Sequence, residues 1–143
     1  MQDRSPAQIY ALVFGAVLVV AGIVGFFYEP SFHAGSDAPR SAVFGILDVN
    51  GWHNVVHILT GVLGLAVAAS YANSRLYAFG LGAVYILVAI VGFLYGNGDE
   101  ILGIIPVNTE DNVLHLLIGV VGLGAGAVTP TQPAPTRAVA STT

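Results

Sequence analysis

Residues 49–65 read VNGWHNVVHILTGVLGL, and residues 107–123 read VNTEDNVLHLLIGVVGL. The two stretches are one sentence written twice. Extended to 45–65 against 103–123, an offset of 58, twelve of twenty-one positions are identical, among them Asn50/Asn108, Asn54/Asn112, His57/His115, Gly61/Gly119 and Gly64/Gly122. Apolar composition inflates chance matches, but it does not repeat Asn-x-x-His in register. The neighbouring stretches repeat as well. Residues 10–28 and 77–95, an offset of 67, share ten of nineteen positions, including Tyr10/Tyr77, Gly15/Gly82 and Gly25/Gly92. The difference of nine between the offsets is extra loop in the first half, around Ser31–Arg40. The chain is therefore an internal duplication, each unit an apolar segment followed by the Asn/His motif.

The surroundings of the motif fix the class. Of 143 residues, 55% are hydrophobic and 8% are charged, with no lysine and no cysteine. Mean hydropathy is +0.80. Soluble domains carry about 25% charged residues, so a water-soluble enzyme is excluded, and so is disorder of the whole chain. Nucleic acid has no basic patch to bind. Disulfides and thiolate metal sites are excluded by the missing cysteine.

Four long uncharged stretches, 5–28, 49–74, 76–98 and 112–136, separate the charges. A spanning helix needs about 20 apolar residues, and continuous apolar runs, not alternating ones, point to helices rather than a barrel. The expected spans lie near 8–28, 52–71, 76–95 and 110–128, with a short turn at Tyr71–Arg75. The first run is longer than a signal-peptide h-region and has no A-x-A site after it, so it reads as retained. The fold class is all-α: an integral membrane four-helix bundle of two tandem two-helix repeats, about 8–71 and 76–128, in one domain over 1–128. Two spans per unit give both units the same orientation, the parallel-repeat case. Residues 129–143, rich in Pro, Thr and Ala, read as a disordered tail.

The V-N-x-x-x-N-x-x-H-x-L-x-G-x-x-G-L pattern, present twice, resembles a bacterial family of small four-helix integral membrane proteins of unknown function. The resemblance covers about residues 8–128. It implies the four-helix fold and brings no activity with it.

Arg4, Arg75 and Arg137 share one side, which the positive-inside rule makes cytoplasmic. Both termini are then cytoplasmic in a multi-pass protein of the bacterial cytoplasmic membrane. The acidic loops containing His33 and the starts of the second and fourth helices are extracytoplasmic. Val43–Val49 and Ile101–Val107, apolar but outside the spans, either lie on the membrane surface or lid the outer end of the bundle.

Asn50 and Asn108 are natural N-caps, which puts His53 and Asp111 at the third helical position. Glu110 and Asp111 suit the helix dipole there. His57 and His115 sit about seven residues inside their helices, roughly 10 Å along the axis at 1.5 Å per residue. Asn54, His57, Gly61 and Gly64 form one stripe, and Asn112, His115, Gly119 and Gly122 form its counterpart. The glycines permit close helix approach.

Three readings of this constellation compete. In the first, Asn54, His57, Asn112 and His115 are a polar clasp across the bundle. In the second, His53 and His57, at i, i+4, join His115 and Asp111 in a site for Zn, Cu or Fe. In the third, His57 and His115 ligate haem b, with Asn54 and Asn112 beside it. No nucleophile–base pair, phosphate loop or H-E-x-x-H is present, and no charge lies mid-span to mark an ion path. The leading functional expectation is a non-catalytic structural or accessory subunit, bound to other membrane subunits or to itself. A metal- or haem-binding module comes next, and an oligomeric transporter or channel third.

Overall fold

Each helix begins where a small polar side chain takes up its free N–H groups. A computed structural model describes residues 4–32, 34–35, 40–96 and 100–131. Helix α1 (Pro6–Tyr28) is capped by Ser5 in a reciprocal box with Gln8. Strands β1 (Ser41–Val43) and β2 (Leu47–Val49) form a hairpin that leads into α2 (Gly51–Val67), capped by Asn50. Helix α3 (Tyr71–Tyr95) starts at the Ser70 cap. A second hairpin, β3 (Glu100–Ile101) and β4 (Ile105–Pro106), leads into α4 (Thr109–Val128), capped by Asn108. The all-α, internally duplicated four-helix architecture is as the sequence indicates, and the hairpins are its one addition. Among the described residues three helices, α1, α3 and α4, are long and apolar enough to cross a membrane. Helix α2, with 17 residues, is shorter and stands at the lower limit for a span.

The duplication is visible in matched contacts. Helix α1 packs most extensively on α2, and α3 on α4. A Cβ on Gly15 would lie 2.9 Å from Gly61 O and from Leu65 N, and one on Gly82 would lie 2.9 Å from Gly119 O and 2.8 Å from Leu123 N. The glycine stripes of α2 and α4 thus meet the first helix of their own repeat, backbone against backbone. Two tyrosines then join the repeats. Tyr10 Oη donates to Ile118 O at 3.1 Å, over Gly122, and Tyr77 Oη donates to Thr60 O at 3.0 Å, over Gly64. Each bond is the image of the other under the 67- and 58-residue offsets. The pseudo-twofold axis passes between these rings, whose centroids are 6.2 Å apart.

Two boundaries differ from the sequence reading. Arg75, placed in a turn because it is charged, lies inside α3, and the turn is Ala68–Ser70. Its Nε donates to Gly126 O (3.1 Å) and Thr129 O (2.9 Å) at the end of α4, and the guanidinium stacks on Phe79. A cation there satisfies carbonyls that the helix leaves free and suits its dipole. Thr129, taken as the first tail residue, is buried and accepts from Ala7 N at 2.9 Å. The packed region therefore reaches one residue into that stretch, and 132–143 lie outside the described residues.

The hairpins close the opposite end. At their tips Phe44 and Gly45 have φ of 54° and 73°, and Leu102 and Gly103 have φ of 56° and 69°. Glycine accepts this geometry freely, whereas a side-chain-bearing residue in the left-handed region costs about 1–2 kcal/mol. Both tips are nonetheless large, apolar and exposed, at 76% for Phe44 and 80% for Leu102. The caps knit the hairpins together: Asn50 Nδ2 donates to Ile104 O and Asn108 Nδ2 donates to Ile46 O, both at 2.7 Å. The apolar segments 43–49 and 101–107 are thus these hairpins, joined to each other at the end of the bundle by the two cap amides.

Candidate metal centre

The histidines gather just beneath the hairpins. His53 and His57 are one turn apart on α2, with ring centroids at 4.4 Å, and His115 of α4 lies 5.8 Å from His53 and 6.3 Å from His57. One ring nitrogen from each lies within 4.8 Å of the others. His53 and His115 are buried and His57 half-buried. Tetrahedral zinc at 2.0–2.1 Å from each nitrogen needs nitrogens about 3.3 Å apart, closer than the 4.8 Å that bounds this set.

A hydrogen bond orients one of these rings. His53 Nδ1 lies 3.0 Å from Asp48 O. A carbonyl only accepts, so Nδ1 carries the proton and Nε2 keeps its lone pair, as in histidines that hold a metal with one nitrogen and donate from the other. His115 Nδ1 is buried without a hydrogen-bond partner among the described residues. Its ring stands edge-on to Tyr85 at 5.1 Å. A buried polar atom left unpaired is unusual enough to require an explanation.

Asp111 is not within the histidine group. Its Oδ2 accepts from Asp48 N at 2.9 Å and Asn108 N at 3.3 Å, the second contact completing a capping box. The asymmetry between His53 and Asp111 has a physical cause in the hairpins. The repeat equivalent of Asp48 is Pro106, which has no N–H to give. A carboxylate at position 53 would find no donor there, and His53 turns to Asp48 O instead. The Asp48 backbone thereby ties Asp111 and His53 to one point.

The amides of Asn54 and Asn112 do not meet each other across the bundle. Asn54 Nδ2 donates to Glu29 O at 3.0 Å, beyond the end of α1, and the two amides press on Gly25 and Gly92, where no Cβ fits. Among the described residues neither Oδ1 atom has a hydrogen-bond donor. Each asparagine fastens the helices of its own repeat. The clasp between repeats is made instead by Asn50 and Asn108, which sequence reasoning assigned only as caps. No sequence signal distinguishes a cap amide that also reaches a neighbouring hairpin. The geometry also opposes haem between His57 and His115: the His53 ring stands in the space that a macrocycle held between them requires. His33 lies outside the described residues.

Beside the cluster is a cavity of about 500 Å³, bounded by α1, α4 and the first hairpin, with His57, Asp111 and His115 in its wall.

A family model described as a domain of unknown function, DUF4383, matches residues 8–128. The chain belongs to this family. The match covers both repeats and all four helices and stops at the last residue of α4. No curated protein and no solved structure matches the chain. For DUF4383, then, the chemistry has to be read from the side chains themselves.

Proposed function

We propose that this protein is a non-catalytic membrane module that holds one transition-metal ion on His53, His57 and His115. The carrying observation is the convergence of three imidazoles from two repeats, with their ligand atoms within 4.8 Å. The orphaned His115 Nδ1 and the His53 tautomer fixed by Asp48 O support it. Three neutral imidazoles suit Zn²⁺, Cu²⁺ or Fe²⁺, and leave a coordination position open. Asp111 acts outside this set, through the Asp48 backbone that also orients His53.

On the orientation read from the arginines, the site lies near the extracytoplasmic side of a bacterial cytoplasmic membrane. In support, Arg75, Ser5 and Thr129 share the end of the bundle opposite the hairpins. The accessory-subunit expectation gains no specific observation: outward apolar residues occur along every helix, as lipid requires.

The reading is tested by titrating Zn²⁺ and Cu²⁺ into purified, chelator-treated protein in detergent while following thermal unfolding. An ion bound only by the folded state raises Tm with concentration. The rise disappears in His57→Ala and in His115→Ala if the site is shared between the repeats. A rise that persists in both variants refutes it. Affinity also falls as pH is lowered, because imidazole ligates only when deprotonated.

A further inference from the structure

Around the hairpin end of the bundle, large side chains stand outward in repeat-related pairs. Phe27 and Leu94, one residue before the ends of α1 and α3, are 85% and 80% exposed. Tyr28 and Tyr95, which end those helices, are exposed as well. The hairpin tips add Phe44 and Leu102. The first two pairs are images under the 67-residue offset and the tips under the 58-residue offset. The Phe44 ring lies 5.7 Å from that of Tyr28, edge to face, and shares a cavity wall with Val20 and Val24 of α1. The first tip is thus packed beside the last turns of α1.

Neither tip is built for water. A two-residue hairpin tip in water is served by Asn-Gly or Asp-Gly, because Asn and Asp tolerate the left-handed region. Here Phe44 and Leu102 occupy that region, at φ of 54° and 56°, so each tip bears backbone strain and presents an apolar side chain at once. The runs 43–47 and 101–105 contain no charge. The nearest charges, Asp48 and Glu100, stand back along the strands, and Glu100 faces Arg40 at 4.0 Å. The turns also bond their own donors. Gly45 N donates to Ala42 O and Ile46 N to Val43 O, and Gly103 N and Ile104 N repeat this with Glu100 O and Ile101 O. A donor already bonded loses little on leaving water.

We infer that the two hairpin tips are lipid anchors, with Phe44 and Leu102 seated at the boundary between headgroups and acyl chains of the leaflet on the hairpin side. Lipid is the partner for three reasons. The first tip continues the lipid-facing surface of α1. Tyr28 and Tyr95 belong to the residue type that gathers at this level of a bilayer. The pseudo-twofold puts the tips on opposite flanks of the bundle, where lipid reaches both and one docked protein reaches one. Irregular backbone exposed to lipid is excluded from the hydrocarbon itself, so the depth is that of amphipathic segments lying on a bilayer, about 5–10 Å into the boundary. The inference does not depend on the metal.

The test uses the full chain, stripped of metal, in vesicles of phosphatidylcholine. Trp52 is the single tryptophan, so Trp52→Phe/Phe44→Trp and Trp52→Phe/Leu102→Trp each carry one fluorescent reporter at a tip. The quenchers are phosphatidylcholine brominated near the headgroup end of its chains, the same lipid brominated near the methyl end, and acrylamide in the water. Each tip should lose most of its emission to the first, less to the second and little to acrylamide. Strong acrylamide quenching without loss to brominated lipid places a tip in water and overturns the inference. Emission that no quencher reduces places it under protein, a second copy or another chain, and also overturns it. If a tryptophan variant does not fold, wild-type protein decides, using phosphatidylcholine with a photoreactive diazirine near the headgroup end of its chain. Label on both 43–46 and 101–104 supports the anchors, and label missing from either overturns them.

Discussion

Adding one methyl group at three glycines should give opposite signs, because the helix pairs touch at some glycines and not at others. At Gly15 the new Cβ would sit 2.9 Å from the backbone of α2, and at Gly82 it would sit 2.8 Å from the backbone of α4. Backbone cannot swing away as a side-chain tip can, so the helices must separate. Overpacking of this kind costs about 1–3 kcal/mol. Alanine returns up to about 1 kcal/mol through helix propensity. Gly15→Ala and Gly82→Ala should each therefore lose about 1–2 kcal/mol. Gly80 has nothing within 4 Å of the same position, so Gly80→Ala should gain about 0.5–1 kcal/mol. Reversible unfolding in mixed micelles gives all three values. The two losses should add to within about 0.5 kcal/mol, since they lie in separate helix pairs. Equal effects at Gly15 and Gly80, of either sign, would refute the close-packed interface.

Other consequences follow from the same contacts. Tyr10→Phe and Tyr77→Phe should each cost about 0.5–1.5 kcal/mol, and the two denaturation midpoints should move together, because the bonds to Ile118 O and Thr60 O are repeat images. Asp111→Ala should cost about 2–6 kcal/mol, since it strands Asp48 N and Asn108 N beneath the hairpins, each at about 1–3 kcal/mol. Hydrogen exchange at those two amides should rise with it. Arg75→Met should cost about 0.3–1 kcal/mol through the end of α4 and speed exchange in its last turn without altering metal binding.

The duplication was legible because it preserves chemically distinctive residues in register. Asn50/Asn108 and His57/His115 fixed the offset, and the offset made His115 a partner for the i, i+4 pair His53 and His57. The hairpins were not legible. Their strands are only two or three residues long, too short for an alternating pattern. Their tips carry Phe-Gly and Leu-Gly where a turn signal would be Asn-Gly or Asp-Gly. Arg75 misled because hydropathy treats charge as a boundary, whereas this guanidinium finds its partners at the end of another helix. Asp111 was grouped with the histidines on helix position alone. Its actual partner, the Asp48 N–H, depends on how the hairpin folds back. The Asn54 and Asn112 amides misled for a related reason: a polar stripe on α2 and another on α4 suggested a meeting across the bundle, but Gly25 and Gly92 open a nearer place on α1 and α3.

If the two repeats jointly hold one metal ion, the purified protein's metal content shows it. Detergent-purified protein, loaded with Zn²⁺ and passed through a desalting column, should retain one equivalent per chain, and the His57→Ala/His115→Ala double variant should retain none while still melting cooperatively. Wild-type protein that melts cooperatively but emerges metal-free, or a double variant that keeps its full equivalent, would contradict the account.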